Sequence, residues 1–173
     1  IDNTHAGLTK SLNKAIEIAK AKFIARQDAD DVSLPKRFEK QINWFLKDER
    51  RVLCGTNCKI LNKNNVYKNN KSLKFTNGGI TKKLKYSNCF VHSSTMFLRN
   101  SAKNLKNYDE NLEYAQDYDL WWKLTTLGEV GNLNEKLLIL RNRENSISVK
   151  NKNNQTLNFI QSCVKFYAYN KKI

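Results

Sequence analysis

The sequence is poor in residue types that build special sites. Among its 173 residues are one proline, two histidines and four cysteines. The cysteines form no CxxC pair, and with so few histidines a zinc module is disfavoured. A disulfide framework is not indicated either, so we expect free, buried thiols of the kind found in cytoplasmic proteins.

Long apolar runs are missing as well. No stretch of about eighteen consecutive apolar residues occurs, so no segment is expected to span a membrane. The first residues, IDNTHAGLTKSLNKA, lack the basic and then apolar order of a signal peptide. The chain does not begin with methionine and opens on a helical pattern, which predicts a domain that is truncated at its N-terminus. Its length and its 40% hydrophobic content still suffice for one domain with a core.

Acidic residues are scarce, since 16 Asp and Glu stand against 31 Lys and Arg, and the formal net charge is +15. Such a charge is typical of nucleic-acid-binding proteins, and it also favours an anionic membrane surface or a phosphorylated substrate. The lysines, however, are scattered through Lys- and Asn-rich stretches such as LNKNNVYKNNK. A general bias in composition therefore explains the charge as well as a nucleic-acid partner does.

Helical and extended patterns alternate along the chain. The predicted helices cover residues 7–21, 35–48, 117–127 and 155–169. The predicted strands cover residues 22–27, 50–61, 94–99 and 137–141. Residues 67–90 are expected to form a loop or a short helix. The alternation predicts an α/β domain with a mainly parallel sheet, whose ligands bind beyond the carboxyl ends of the strands.

Three of the few acidic residues stand together at the end of the first predicted strand: Asp28, Asp30 and Asp31. In an extended segment residues i and i+2 point the same way, so Asp28 and Asp30 can face one hard cation such as Mg²⁺ or Mn²⁺. The D-x-D pattern is weak by itself, and a solvated acidic turn explains it equally well. An EF-hand is disfavoured because the required glycine and distal glutamate are absent. A phosphatase-like D-x-D-x-V also fits formally, but the strand before it is not purely apolar.

A second acidic pair, Asp117 and Asp119, lies where a loop enters the predicted helix DYDLWWKLTTL. Carboxylates are stabilised at a helix N-terminus, so capping accounts for one of the two. The other is a candidate general base on the rim of a cleft. Trp121, in the same helix, fits the core better than a sugar-binding surface.

Three further residues are candidates for contacts with a ligand. Arg141 and Arg143 stand two apart on an extended segment and could meet phosphate oxygens together, although ordinary solvated arginines fit equally well. His92, in NCFVHSSTMFLR, is either an active-site donor or a loop histidine with a satisfied ring. The second interpretation of His92 is favoured.

Taken in order, five segments resemble family 2 glycosyltransferases of the GT-A fold: GLTKSLNKAI, ARQDADDVSLPKRFEKQ, FVHSSTMFLR, YDENLEYAQDYDLWWKL and LRNRENSIS. The resemblance implies a Rossmann-like, mainly parallel sheet flanked by helices. It also implies that residues 1–173 are the C-terminal larger part of a single domain. The family's first strand–helix–strand segment, which holds the nucleotide, does not precede Ile1. We therefore expect this chain alone to be inactive or very weak.

The same resemblance implies roles for the candidate residues. Asp28 and Asp30 would hold Mg²⁺ or Mn²⁺ against the diphosphate of a nucleotide-sugar donor, and Asp117 would be the general base of an inverting transfer. Arg37 would brace the acidic turn. By position, the donor diphosphate side would include Asp31, Arg37, Arg141 and Arg143, and the acceptor side would include His92 and Trp121.

Two positions depart from the family pattern. Gln116 stands where the family often has Glu, and Arg143 occupies the place of a histidine; Arg143 could bind phosphate but not a cation. The expected function is transfer of a sugar to a glycan or lipid-linked acceptor in cell-envelope glycan synthesis, in the cytoplasm or peripherally at the inner membrane face, without nucleic acid. Two alternatives stay open, namely a basic nucleic-acid-binding module and an inactive fragment of the transferase.

Overall fold

The computed structural model describes residues 7–62, 67–69, 75–141 and 152–170. The strands within these ranges are β1 (Phe23–Ala25), β2 (Val32–Ser33), β3 (Arg51–Leu61), β4 (Tyr67–Asn69), β5 (Met96–Leu98) and β6 (Glu129–Arg141). The helices are α1 (Leu8–Ile18), α2 (Arg37–Leu46), α3 (Asn77–Leu84), α4 (Arg99–Asn104), α5 (Gln116–Leu124) and α6 (Lys152–Asn170), and a 3-10 turn covers His92–Ser94. All four predicted helices therefore form.

The strands make one sheet in the order β1-β5-β3-β6-β2, with β4 beside β3. The long strands β3 and β6 pair in parallel, whereas the short strands pair antiparallel with their neighbours. The α/β class is confirmed, but the sheet in the described part of the chain is mixed rather than mainly parallel. The alternation of helices and strands could not reveal this, because a strand of two or three residues can satisfy its few backbone groups in either direction.

Helix α2 buries a face that carries polar as well as apolar side chains. Arg37, Gln41 and Phe45 recur every four residues and are buried. Phe38, the residue after Arg37, points away from this face and is 49% exposed. The Gln41 amide donates hydrogen bonds to the carbonyl oxygen of Cys54 at 2.8 Å and to that of Ser94 at 2.9 Å. The buried polar groups of α2 are thus satisfied by the backbone of β3 and of the turn before β5, which fixes α2 under the sheet.

The main core is centred on helix α5. Tyr118, Leu120, Trp121, Trp122 and Leu124 are all buried and pack with apolar residues of β3, β5, β6 and the other helices except α2. The aromatic contacts are edge-on or tilted, a geometry that contributes about 0.5–1.5 kcal/mol per pair beyond the burial of area. The rigid position of α5 matters for the site, because this helix begins at the cleft.

A chain of polar contacts fixes α6 against α5. The Trp122 indole donates to Ser162 Oγ at 2.9 Å, and that hydroxyl donates to Asp119 Oδ1 at 3.0 Å. Asp119 Oδ2 lies 2.5 Å from Lys123 Nζ.

All four cysteines are free thiols. Among the helices that the structure describes, none is both long and apolar enough to cross a bilayer.

Candidate active site

An open cleft of about 890 Å³ lies at one edge of the sheet. It is lined by the loop that follows β1 and by Ile60, Leu140 and Arg141, which lie at the carboxyl ends of β3 and β6. The 3-10 turn and the start of α5 close its other side. The cleft therefore has the position predicted from the alternation of strands and helices, beyond the carboxyl ends of the parallel strand pair.

The cleft is acidic although the chain is strongly basic. Among the residues that the structure describes, five carboxylates line it, against two arginines, Arg26 and Arg141. The carboxylates belong to Asp28, Asp30, Asp31, Glu113 and Asp117. A site with this balance attracts cations, and a diphosphate could enter it only together with a neutralising positive charge.

Asp28 is held from two sides. Ser93 Oγ donates to Asp28 Oδ2 at 2.5 Å, and Arg26 Nη2 donates to Asp28 Oδ1, also at 2.5 Å. Burial by itself raises the pKa of the Asp28 carboxyl, but the Ser93 hydrogen bond and the Arg26 charge outweigh burial and bring that pKa below its ordinary value. Asp28 is therefore ionised at neutral pH. Its side chain keeps 44% of its surface exposed toward the cleft.

Asp30 and Asp31 differ in accessibility. Asp30 is half-buried on the cleft wall. Asp31 is only 5% exposed, and its Oδ1 accepts a hydrogen bond of 2.9 Å from the backbone N–H of Arg141. Burial, together with the nearby charges of Asp28 and Asp30, raises the pKa of Asp31. Asp31 thus ties the acidic turn to the end of β6, which leaves Asp28 and Asp30 as the more accessible carboxylates.

Arg37 lies beneath the acidic turn and does not line the cleft. Its Nη2 donates to the carbonyl oxygen of Arg26 at 2.7 Å and to that of Thr95 at 3.2 Å, and its Nη1 donates to Ser33 Oγ at 2.7 Å. Burial lowers the pKa of Arg37 to about 10, so it is still a cation at neutral pH. The expected brace is present. The Arg37 donors are used by these carbonyl oxygens and by the side chains of Ser33 and Gln41, so the structure gives no support to a contact between Arg37 and a diphosphate.

The structure separates the two acids at the start of α5. Asp117 faces the cleft, and its Oδ2 accepts a hydrogen bond of 2.7 Å from the Asn88 side chain. Asp119 is fully buried among Ser162 and Lys123. Ala115, with φ 56°, turns the chain into the helix just before them. Asp117 shares one cleft with Asp28 and Asp30, as a common site for donor and base requires.

His92 and Trp121 were both predicted for the acceptor side. His92 lines the cleft, whereas Trp121 does not. The His92 ring is hydrogen-bonded through Nε2 to the hydroxyl of Tyr108 at 3.0 Å, and it meets Trp121 edge-on at 5.8 Å between ring centroids. Burial lowers the pKa of His92 despite the nearby carboxylates Asp117 and Asp28, so the ring is neutral at pH 7. Trp121 is fully buried in the core, and its assignment to the acceptor side is corrected.

The two arginines predicted to meet phosphate oxygens have different outcomes. Arg141 lines the cleft at the end of β6, and Arg143 lies outside the described residues. Sequence reasoning did not find Arg26 and Ser93, which hold the carboxylate of Asp28, or Asn88, which holds that of Asp117. Only Arg26 carried a signal, because a residue two positions before Asp28 in an extended segment points to the same side.

Asp28 and Asp30 fit a cation that takes some of its ligands from the protein and the others from a substrate. No group of three or more His, Cys, Asp or Glu side chains suited to a metal ion exists within the described ranges. Mg²⁺ and Mn²⁺, however, often use one or two carboxylates and complete their shell with phosphate oxygens and water. Two accessible carboxylates in an acidic cleft meet that requirement, and a closed protein cage is not needed.

Comparisons with known proteins agree on one family. The model described as "Glycosyl transferase family 2" matches residues 1–105. The O-antigen biosynthesis glycosyltransferase WbnJ of Escherichia coli is 36% identical over 127 residues, which are 73% of this chain and 48% of WbnJ. The amylovoran biosynthesis glycosyltransferase AmsE of Erwinia amylovora is 30% identical over 162 residues, 93% of this chain and 59% of AmsE. The chain spans about half the length of such curated relatives.

Solved structures show the same fold. The crystal structure of S. aureus TarS 1-349 superposes with a TM-score of 0.64 at 13% identity, over 82% of this chain and 42% of that one. TarS 1-349 in complex with UDP-GlcNAc gives a TM-score of 0.64 at 15% identity, over 84% and 42%. This likeness establishes the GT-A fold of the chain and, at such low identity, nothing about its substrate.

Proposed function

Because the chain belongs to glycosyl transferase family 2, we propose that the protein carrying it moves a sugar from a nucleotide-diphosphate donor to an acceptor hydroxyl, with inversion at the anomeric carbon. The observation that carries this proposal is the acidic cleft in a chain of net charge +15. Two accessible carboxylates and a separate acid at a helix start share that cleft. Such an arrangement suits a donor side and a base side that meet in one pocket.

Asp117 is the proposed general base. Asn88 holds one oxygen of its carboxylate, and the other takes the proton of the acceptor hydroxyl. The acceptor oxygen forms a bond to the anomeric carbon while the bond from that carbon to the diphosphate oxygen breaks on the opposite face. The nucleoside diphosphate leaves with the bonding electron pair. A single displacement of this kind inverts the anomeric centre and requires no covalent intermediate on the protein.

Asp28 and Asp30 are the proposed ligands of Mg²⁺ or Mn²⁺. A bound divalent cation would supply Lewis-acid stabilisation of the charge that develops on the departing diphosphate. Asp31 keeps the turn attached to β6 through the Arg141 backbone, and Arg37 supports it from below. The side chain of Arg141, at the cleft edge, is a further candidate for contact with phosphate oxygens.

The substrate class that we propose takes its first candidates from the relatives. TarS was crystallised with UDP-GlcNAc and with UDP, so UDP-sugars are the first donors to screen. The relatives named for O-antigen and amylovoran biosynthesis support a glycan or lipid-linked acceptor in polysaccharide synthesis. We propose that the reaction takes place in the cytoplasm, where the positive charge of the chain would favour contact with an anionic membrane face.

Two variants in the protein that carries this chain test the proposal. Asp117→Asn should lower the rate of transfer from UDP-sugars by about 10²–10⁴-fold and leave donor affinity nearly unchanged, since it removes only the base. Asp28→Asn should weaken Mn²⁺-dependent donor binding. Both quantities are measured by product formation and by calorimetric titration with the donor. Transfer by Asp117→Asn at the rate of the unmodified protein would rule out the assigned base.

A further inference from the structure

The guanidinium of Arg26 is bonded to Asp28, one of the two proposed ligands of the cation. Arg26 directly follows β1, is 8% exposed, and lines the cleft. Its Nη2 lies 2.5 Å from Asp28 Oδ1, while Ser93 Oγ occupies Asp28 Oδ2. Both oxygens of the first carboxylate of the D-x-D motif are therefore engaged by protein groups, and a cation that binds Oδ1 meets the positive charge of Arg26 at close range.

The two partners of Asp28 differ in their freedom to move. Ser93 belongs to the 3-10 turn, and its Oγ also accepts a hydrogen bond of 3.1 Å from the backbone N–H of Asp28, so its side chain is held in place. The backbone of Arg26 is fixed too, because its N–H donates to the Thr95 carbonyl oxygen at 2.9 Å. The side chain of Arg26 has several rotatable bonds and lines the cleft, so its guanidinium can move while the backbone stays in place.

The Arg26 side chain also has a donor to offer. Its Nε is buried and has no hydrogen-bond partner within the described part of the chain. A buried donor without an acceptor is unfavourable, and a phosphate oxygen in the cleft would satisfy it. The forked guanidinium suits phosphate groups in particular, since it can donate two parallel hydrogen bonds.

We infer that Arg26 is a positioning residue that competes with the cation for Asp28. Once the cation has displaced it, the guanidinium donates hydrogen bonds to the diphosphate of the nucleotide-sugar. This inference rests on the proposed function. It makes the binding of cation and diphosphate cooperative, because the cation frees the guanidinium and the diphosphate gives it a new partner. A purely structural role would make no such link.

The experiment uses Mn²⁺ alone, followed by electron paramagnetic resonance, and inorganic pyrophosphate added with Mn²⁺, followed by calorimetry. Arg26→Gln should bind Mn²⁺ alone about fivefold more tightly, the lower end of common coupling effects. The same variant should bind Mn²⁺ with pyrophosphate about tenfold more weakly, since a charged hydrogen-bond donor is lost. Arg26→Lys should lie between the two proteins. Arg141→Gln is the matched control, expected to weaken pyrophosphate binding without tightening Mn²⁺.

Opposite signs of the two changes support the inference. A loss of affinity for both probes in Arg26→Gln and Arg26→Lys, with unchanged thermal unfolding, would overturn it, as would no change in either affinity. The proposed function is judged separately on the unmodified protein. If that protein binds Mn²⁺ with pyrophosphate and Asp28→Asn does not, the cation site stands whatever Arg26 does. If the unmodified protein binds neither probe, both proposals fail.

Discussion

Asn88 donates a hydrogen bond of 2.7 Å to Asp117 Oδ2, across 29 positions of sequence, and so joins the turn after α3 to the first turn of α5. This contact orients the proposed base toward the cleft. Because the carboxylate is held by a neutral amide, a charge introduced at position 88 would lie at hydrogen-bond distance from the proposed base.

We predict that Asn88→Asp lowers kcat of transfer more than Asn88→Ala does. Two carboxylates at hydrogen-bond distance repel each other, so Asn88→Asp loses the orienting bond and also pushes the base away from its place. Asn88→Ala, the matched control, removes the orienting bond without adding charge. Product formation at saturating donor measures both variants, and equal kcat for all three proteins would show that Asn88 does not act on the base.

Asp119→Asn should damage the fold rather than the chemistry. Asp119 is fully buried and pairs with Lys123 and Ser162, so loss of its charge should reduce the free energy of unfolding by about 3 kcal/mol. Asp117→Asn, two positions earlier and on the cleft, should leave the free energy of unfolding nearly unchanged. Urea denaturation of both variants measures the difference. A stable Asp119→Asn protein that cannot transfer sugar would contradict the assignment of the two acids.

Arg37→Met should destabilise the acidic turn from below. The substitution deprives the carbonyl oxygens of Arg26 and Thr95 of a buried donor, and we expect a loss of about 3 kcal/mol in the free energy of unfolding. Lys40→Met, on the same helix, removes a surface pair with Glu135 and should change little. Chemical denaturation of the two variants tests this, and equal stability would show that Arg37 does not support the turn.

Two glycines offer a test of packing with opposite signs. A methyl group on Gly128 would lie 2.1 Å from the carbonyl oxygen of Arg50, so Gly128→Ala must shift the backbone at a cost of about 2 kcal/mol. Gly78, the second residue of α3, has nothing within 4 Å of that position. Gly78→Ala should therefore stabilise the chain by about 0.5–1 kcal/mol, because alanine favours a helix. Thermal unfolding midpoints should move in opposite directions.

His92 should make the stability of the chain depend on pH. Burial lowers its pKa below the ordinary value of 6.5, so the unfolded chain takes up a proton at higher pH than the folded chain does. The stabilisation is thus complete above pH 6.5 and is lost as the pH falls toward the folded-state pKa. Unmodified protein should lose more unfolding free energy than His92→Gln between about pH 7 and pH 5. Parallel losses would contradict a His92 ring that is kept neutral by the folded chain.

The sequence by itself determined the local features of this protein. Hydrophobic periodicity depends on neighbouring residues, so it predicted the four longer helices and the α/β class. The cluster Asp28, Asp30 and Asp31 after a strand predicted the edge of the sheet where the cleft lies. The ordered motifs likewise pointed to the family that the comparisons confirm.

Only the tertiary structure decided which side chains face that cleft. Asp117 and Asp119 look alike in sequence, and one lies on the cleft while the other is buried against Ser162, 43 positions away. Asp28 is held by Ser93, 65 positions away. Trp121 is buried in the core, where it packs against Phe97 of β5. The exposure of a side chain depends on elements that are distant in the chain, and local spacing carries no information about those contacts.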